Sequence, residues 1–144
     1  MDKSDIEAII QKAQVCRVAM ADGGQPYVVA VCFGYRDDVL YFHCGLRGRK
    51  LDVLRRNDRV CVQFDVDTEV VPHDLPCKFS FRYRSAIAFG RAVIVEDPAE
   101  KLEGLNVIMR HYTGRDWEFP ADKVARTAVV RIEIESMTGK SAGF

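Results

Sequence analysis

The sequence predicts a mainly β domain in which antiparallel strands close into a barrel and a few helices are added. Apolar segments alternate with short turn-forming segments such as Asp22–Pro26 and Arg36–Asp38, which is typical of a meander of hairpins. The apolar stretch Lys78–Val95 would span about 60 Å as a straight strand at about 3.3 Å per residue. A compact domain of 144 residues is only about 40 Å across. We therefore expect this strand to bend near Ser85 or Gly90, as strands do when a sheet closes.

Helices are predicted at three places. Ser4 to Glu7 form a capping box, and the apolar residues that follow at helical spacing predict a helix over Ser4–Gln14. A second, short helix contains Leu51 and Leu54. The third begins after Asp97, with Pro98 at its first position and an apolar face that we expect to consist of Leu102, Leu105, Ile108, Met109 and Tyr112.

The remaining apolar segments are predicted to be strands, at Cys16–Ala21, Tyr27–Tyr35, Val39–Cys44, Arg59–Asp67, Lys78–Val95 and Thr127–Met137. Tyr27–Phe33 is apolar at both of its alternating faces, whereas a small antiparallel barrel should present one polar face to water. The outer face is therefore expected to be buried against a second copy of the chain in an obligate homodimer.

Composition narrows the class of protein. The 144 residues are expected to form a single domain, 1–144, and 21 Lys and Arg balance 21 Asp and Glu. This balance disfavours nucleic acid and anionic membranes as partners. The acidic, polar start resembles no secretion signal, and no apolar run is long enough to span a membrane. Five dispersed cysteines without Cys-x-x-Cys spacing are typical of reduced thiols, so we expect a cytoplasmic protein.

A phosphate site is predicted where the segment Leu40–Lys50 passes from an apolar strand through a glycine-containing turn into a helix. Arg49 and Lys50 lie at the helix start, where backbone N–H groups are free to bind an anion. Arginine offers a planar fork and lysine a movable point charge, so that the pair can hold a dianion. A solvated helix start is the alternative that the sequence leaves open.

Three further residues are candidates for this region. His43 either bonds to backbone at its strand end or contacts and protonates a ligand at the barrel mouth. Arg84 and Ser85 lie at the expected bend and would join the site around Arg49 and Lys50. Metal binding by His43, Cys44 and His73 lacks the usual ligand spacing, so no metal is expected.

Catalytic motifs are absent from the sequence. It contains no Gly-x-Gly-x-x-Gly, Walker, Gly-x-Ser-x-Gly or His-Glu-x-x-His pattern, and no evident pair of carboxylates. An enzyme with these side chains would depend on a cofactor for its difficult step.

Three segments, Leu40–Lys50, Tyr83–Asp97 and Ile134–Lys140, resemble in order and spacing the nitroimidazole-resistance (Nim) branch of the pyridoxamine 5′-phosphate oxidase-like proteins. The resemblance implies an FMN-binding split β-barrel of antiparallel Greek-key type, with FMN at a homodimer interface. It also implies a cofactor site made of Phe42, His43, Cys44, Gly48, Arg49, Lys50, Arg84 and Ser85. Arg49 and Lys50 would grip the phosphate, while Phe42, His43 and Cys44 would line the flavin.

The same resemblance implies an FMN-dependent oxidoreductase that passes electrons from NADH or NADPH to a small acceptor, such as a nitro-aromatic compound. His43 would position or protonate that acceptor. The chain lacks the C-terminal Arg-x-His type segment of the pyridoxamine phosphate oxidases proper, so vitamin B6 oxidation is not expected. The alternative is a non-catalytic protein that binds FMN, haem or the deazaflavin F420.

Overall fold

Seven strands and four helices make up the computed structural model, which describes all residues 1–144. The strands are β1 (Cys16–Asp22), β2 (Gln25–Val31), β3 (Gly34–Arg36), β4 (Val39–Gly45), β5 (Arg59–Val71), β6 (Ser80–Val95) and β7 (Thr127–Ala142). The helices are α1 (Lys3–Lys12), α2 (Arg49–Arg56), α3 (Pro98–Thr113) and α4 (Ala121–Ala125), with one 3₁₀ turn at Pro76–Lys78. All strand pairs are antiparallel and form one sheet in the order β2-β1-β5-β6-β7-β4-β3.

The sheet must curl because its two edge strands are consecutive in the chain. Only Cys32 and Phe33 lie between β2 and β3, and this link reaches about 11 Å at most. A flat sheet of seven strands would separate its edges by about 29 Å. The edges therefore meet without pairing, and the predicted mainly β split barrel is confirmed. At the seam the Phe33 N–H is donated to the Tyr112 hydroxyl over 3.0 Å, so this backbone group is satisfied outside the ladder.

Strands β4 to β7 form a Greek key, in which β5, β6 and β7 are joined as neighbours and β4 lies beside β7. The connection from β4 to β5 carries α2, whose Leu51, Val53 and Leu54 are buried. These residues belong to the main core, which also contains Phe33, Phe42 and Phe64. A second, smaller core lies between the outer wall of β4 and β7 and helix α3.

The bend predicted in β6 is located at Gly90. Phe89 is opposite Ser136 and Gly90 is opposite Ile134, so that Glu135 is bulged out of the ladder with β7. A Cβ atom at position 90 would lie 2.3 Å from the Glu133 carbonyl oxygen. Glycine is therefore required here by the close approach of the β7 backbone.

Helix α1 begins at Lys3, one residue earlier than the sequence pattern predicted, and it ends at Lys12 instead of Gln14. Asp2 is the N-cap: its carboxylate accepts the Asp5 N–H over 3.0 Å, and the Asp5 carboxylate accepts the Asp2 N–H over 3.3 Å. Ser4 lies inside the helix, because aspartate forms the same reciprocal cap two residues earlier.

Helix α3 starts as predicted, with the Asp97 carboxylate accepting the Glu100 N–H over 3.1 Å. Its predicted apolar face is only partly correct. Leu105 and Ile108 are buried, whereas Leu102 is exposed and Val107 is buried in its place. The helix lies over β3 and β4, with Val107 against the buried Gly34, and this orientation turns Leu102 to solvent.

No helix of the chain combines the length and the apolar character that crossing a membrane requires. All five cysteines are free thiols.

We expect Gly90→Ala to lower the free energy of unfolding by about 1–3 kcal/mol, because the added methyl group overlaps the Glu133 carbonyl and forces β7 outward. Gly45→Ala is the matched control, since its Cβ would meet nothing closer than 4.0 Å. Urea unfolding of both variants measures the difference. If both variants have the same free energy of unfolding, the packing of β7 against β6 does not require glycine at position 90.

Candidate cofactor-binding site

The start of α2 is a backbone site suited to an anion. Gly48 is the N-cap, and no side chain caps the helix. The N–H groups of Lys50 and Leu51 have no hydrogen-bond acceptor within the chain. Gly48 has a φ of 150°, which side chains rarely adopt, and the space next to its Cα is open. An anion can therefore approach these N–H groups directly.

Arg49 is held at the edge of this site by two groups from the β1–β2 hairpin. Its guanidinium lies 4.2 Å from the centre of the Tyr27 ring, and Nη2 is 3.6 Å from Asp22 Oδ2. Stacking on an aromatic face orients the planar guanidinium while its outer N–H groups stay available. Arg56 also pairs with Asp22, over 2.8 Å, so that Asp22 is shared between two cations.

Lys50 follows Arg49 and makes no ion pair in the chain. Its side chain is half-buried, near enough to Cys44 for its charge to act on that thiol. An ammonium group with no carboxylate partner beside two free N–H groups is a receptor for a negatively charged group. The phosphate site at Gly48, Arg49 and Lys50 stays a prediction, for which these groups would be the donors.

Successive side chains of β4 point to opposite faces of the sheet, so Phe42, His43 and Cys44 cannot all line the flavin together. Phe42 is fully buried in the main core, and Cys44 packs against the same core. His43 points to the opposite side, toward α3 and α4, where it lines a cavity of about 140 Å³. The Phe42 ring leaves no surface for a ligand, so the expectation that its side chain lines the flavin is wrong for this chain. His43 lies on the outer wall, on the same side of β4 as Tyr41.

The His43 imidazole is neutral at physiological pH. The residue is exposed overall, but part of its ring lies in the cavity, and this burial lowers its pKa below the ordinary 6.5. No other group shifts that pKa. His43 can therefore offer a ligand one N–H donor and one nitrogen acceptor.

Cys44 is a thiol and not a thiolate at neutral pH. Burial raises the pKa of Cys44, and the nearby charges of Lys50 and Arg55 only partly oppose that rise. A buried thiol of this kind is a poor nucleophile. Cys44 therefore acts as an apolar wall residue beside Lys50.

Arg84 and Ser85 do not join Arg49 and Lys50 within one chain. Arg49 contacts Asp22, at the end of the sheet where Arg91 pairs with Asp58. Arg84 precedes Arg91 by seven positions in β6, about 23 Å at the rise of an extended strand. At the opposite end of β6, Arg84 pairs with Asp67 over 2.6 Å and stacks on the Phe144 ring at 3.9 Å. The predicted grouping is therefore not formed in the protomer, because the β5–β6 register places its members at opposite ends of the barrel.

Two contributors to the site were missed at the sequence level. Tyr27 and Asp22 belong to the β1–β2 hairpin, more than twenty residues before Arg49, and only their tertiary contacts bring them to it. Nothing in the spacing indicates that contact. No group of three or more His, Cys, Asp or Glu side chains is arranged to hold a metal ion.

The profile of the family described as "Pyridoxamine 5′-phosphate oxidase" matches residues 2–141 of the chain. The protein therefore belongs to the pyridoxamine 5′-phosphate oxidase family, within which its resemblance is to the nitroimidazole-resistance branch. None of the curated proteins matches the sequence significantly.

Solved structures agree with this assignment. A protein of Bacteroides thetaiotaomicron provisionally assigned to 5-nitroimidazole antibiotic resistance is 39% identical, with a TM-score of 0.87 over 96% of this chain and 82% of that one. A FAD-binding protein of Mesorhizobium loti is 27% identical, with a TM-score of 0.72 over 99% of this chain and 96% of that one. The flavocytochrome Anf3 of Azotobacter vinelandii is 23% identical, with a TM-score of 0.83 over 99% and 68%, and shows the shared fold.

We expect His43 to titrate below pH 6.5 in the folded protein, because burial of part of its ring disfavours the charged form. The unfolded chain then binds this proton first as the pH falls, so the free energy of unfolding decreases as the pH drops through 6.5. NMR titration of the His43 Hε1 resonance, assigned with a His43→Gln variant, measures the midpoint. A midpoint above 6.5 would contradict burial as the dominant effect.

Proposed function

We propose that the protein binds FMN with its phosphate at the start of α2 and transfers electrons from NADH or NADPH to a small acceptor. The observation that carries the proposal is the anion receptor formed by unpaired Lys50, oriented Arg49 and two free backbone N–H groups. Family membership adds support, since relatives of this fold include FAD-binding proteins.

The residues present fit a flavin phosphate. A phosphate dianion needs several donors, and the start of α2 supplies Lys50, Arg49 and the N–H groups of Lys50 and Leu51. Gly48 leaves the approach open, since no atom lies within 4 Å of its absent side chain. Fixed donors of this kind also favour FMN over riboflavin, which has no phosphate.

The chain's own part in the reaction is to bind, orient and donate hydrogen bonds. FMN, when bound, supplies the two-electron chemistry that the side chains lack. His43 would hold the acceptor through its single N–H or its free nitrogen, while half-buried Cys44 would form an apolar wall beside Lys50.

The electron balance of the proposed reaction is simple. The nicotinamide donor loses one hydride, which is two electrons and a proton, and becomes the oxidised nicotinamide. The acceptor gains two electrons and two protons, of which one comes from solvent. For a nitro compound the products are the nitroso compound and water.

Replacing both cations should remove the cofactor. Arg49→Ala with Lys50→Ala is expected to weaken FMN binding at least about tenfold, since a hydrogen bond to a charged group contributes about 1.5–3 kcal/mol. Absorption spectra of the purified proteins measure flavin content, and oxidation of NADPH or NADH with a nitro-aromatic acceptor measures turnover. Both should be lost together in the double variant.

The control is Lys101→Ala with Arg115→Ala, which removes the same charges from α3 and the loop that follows it. This variant should keep its flavin. A double variant at positions 49 and 50 that remains fully loaded would contradict the phosphate site. A wild-type protein that holds FMN tightly but does not turn over with either nicotinamide would instead be a flavin-binding protein.

We also propose that the protein is a homodimer, joined through the outer face of β2, β1, β5 and β6. The strand registers align Val28, Ala19, Cys61 and Phe89 in one row across these four strands. Val28 is 62% exposed and Phe89 is 53% exposed. Two exposed apolar side chains, joined across the sheet by the smaller Ala19 and Cys61, form an uncovered apolar row of the kind found in protein interfaces. Val28 belongs to Tyr27–Phe33, the segment whose outer face we expect a second copy to cover.

Ser85 shares the outer face of β6 with Phe89, because they are separated by an even number of positions. In a homodimer built on this face, Ser85 would lie at the interface, from where it can approach the cofactor of the partner protomer. Arg84 points to the other side, toward Asp67, and has no such route.

Phe89→Glu should convert the homodimer to a monomer, because the change places a charge in the middle of the apolar row. Leu102→Glu is the matched control, since Leu102 is 40% exposed on α3 and lies outside the row. Size-exclusion chromatography with light scattering measures the mass of each. A wild-type monomer, or a dimer that survives Phe89→Glu, would contradict this interface.

A further inference from the structure

The β1–β2 hairpin contacts α2 at both of its ends. Arg56, the last residue of the helix, donates a hydrogen bond from Nη2 to Asp22 Oδ1 over 2.8 Å. Arg49, the first residue, lies against Tyr27 and Asp22 of the same hairpin. Gly23 and Gly24 both have positive φ, so the turn after Asp22 is tight and fixes where its carboxylate lies.

Asp22 holds its two arginines unequally. Its contact with Arg56 is a hydrogen bond, whereas Arg49 Nη2 lies 3.6 Å from Asp22 Oδ2, which is beyond hydrogen-bond range. Arg49 can therefore turn away from Asp22 without the loss of a hydrogen bond, while Arg56 keeps the carboxylate in place.

Tyr27 acts on Arg49 in a different way. The tyrosine is half-buried and packs against the main core, and the centre of its ring is 4.2 Å from the guanidinium carbon of Arg49. A stacked guanidinium keeps its N–H groups in a fixed plane, directed outward. The ring carries no charge, so it orients Arg49 without competing with an anion.

Asp22 does compete with an anion. Its carboxylate is an acceptor only and can donate no hydrogen bond to a phosphate. A dianion that approaches Arg49 also meets the negative charge of Asp22, and like charges repel each other.

We propose that Tyr27 and Asp22 set the affinity of the anion site at the start of α2 in opposite directions. Tyr27 is a positioning residue that presents the Arg49 guanidinium. Asp22 is a built-in competitor that releases Arg49 when a phosphate group binds and takes it back when the group leaves, so the ligand is exchangeable. The inference rests on the proposed function for the identity of that ligand, FMN, whereas the competition applies to any phosphate group.

The affinities of full-chain variants for FMN and for riboflavin, measured by flavin fluorescence, test the proposal. Asp22→Asn removes the charge but keeps an oxygen for Arg56, and it should bind FMN about three- to tenfold more tightly. Tyr27→Leu should bind FMN about three- to tenfold more weakly, and Tyr27→Phe, which keeps the ring face, should match the wild type. Riboflavin affinity should stay constant, because riboflavin has no phosphate.

The ratio of FMN affinity to riboflavin affinity is the decisive quantity, since a general loosening of the hairpin would change both affinities together. Asp65→Asn is the matched control: it removes a carboxylate that pairs with Arg17 over 2.8 Å and lies opposite Ser85 in the β5–β6 ladder. Its ratio should equal that of the wild type. If Tyr27→Leu does not fold by circular dichroism, the nearly isosteric Asp22→Asn decides.

Inorganic phosphate separates this inference from the proposed function. It is titrated while the amide resonances of Lys50 and Leu51, whose N–H groups are free, are followed by NMR. Phosphate affinities that fall from Asp22→Asn through wild type to Tyr27→Leu, without FMN binding, would overturn only the cofactor assignment. FMN binding to the wild type with no gain in Asp22→Asn would overturn the competition, and an unchanged ratio in Tyr27→Leu would overturn the positioning role. Failure of every protein to bind either ligand would overturn both proposals.

Discussion

The two-residue link between β2 and β3 is the constraint on which the rest of the structure depends. Cys32 and Phe33 join β2 and β3, the two edge strands of the seven-stranded sheet. The sheet must therefore curl until its edges meet, although they do not pair. The seam this leaves is covered by α3, whose Tyr112 accepts the orphan Phe33 N–H and donates to the Gln14 carbonyl. With α3 fixed at the seam, its other side faces β4 and β7, and this contact creates the wall that carries His43.

Charge is distributed so that a neutral protein can still offer a local positive site. Many arginines are matched by nearby carboxylates, as in Arg17 with Asp65 and Arg131 with Glu100. Lys50 is half-buried without such a partner, at a helix start that no side chain caps. The start of α2 therefore combines an unpaired cation with free backbone donors, and the single contact of Asp22 with Arg49 leaves other guanidinium N–H groups available.

Sequence patterns predicted the features that depend on neighbours along the chain. The β6 bend, the Asp97 cap and the glycine before Arg49 all follow from local spacing, and the structure has each of them. The sequence could not reveal what strand registers decide. The burial of Phe42, the outward turn of His43 and the distance of Arg84 from Arg49 follow from pairings between segments far apart in sequence. The place of His111 likewise depends on distant segments, since its Nε2 lies 2.6 Å from the Ala13 carbonyl oxygen and its ring packs on Phe33.

The pairing of β4 with β7 also has a consequence for the order in which the chain can fold. Phe42 is opposite Val130, and His43 is opposite Val129. One edge of β4 pairs with β3, but the other edge stays unpaired until β7, the last strand, has been synthesised. Contacts between segments this distant close late, because the loop entropy must be lost before they form. On the ribosome, the hairpins of β1 to β4 emerge first with an open strand edge, α3 follows, and β7 emerges last and closes that edge. The wall that carries His43 is therefore the last part of the barrel to be completed.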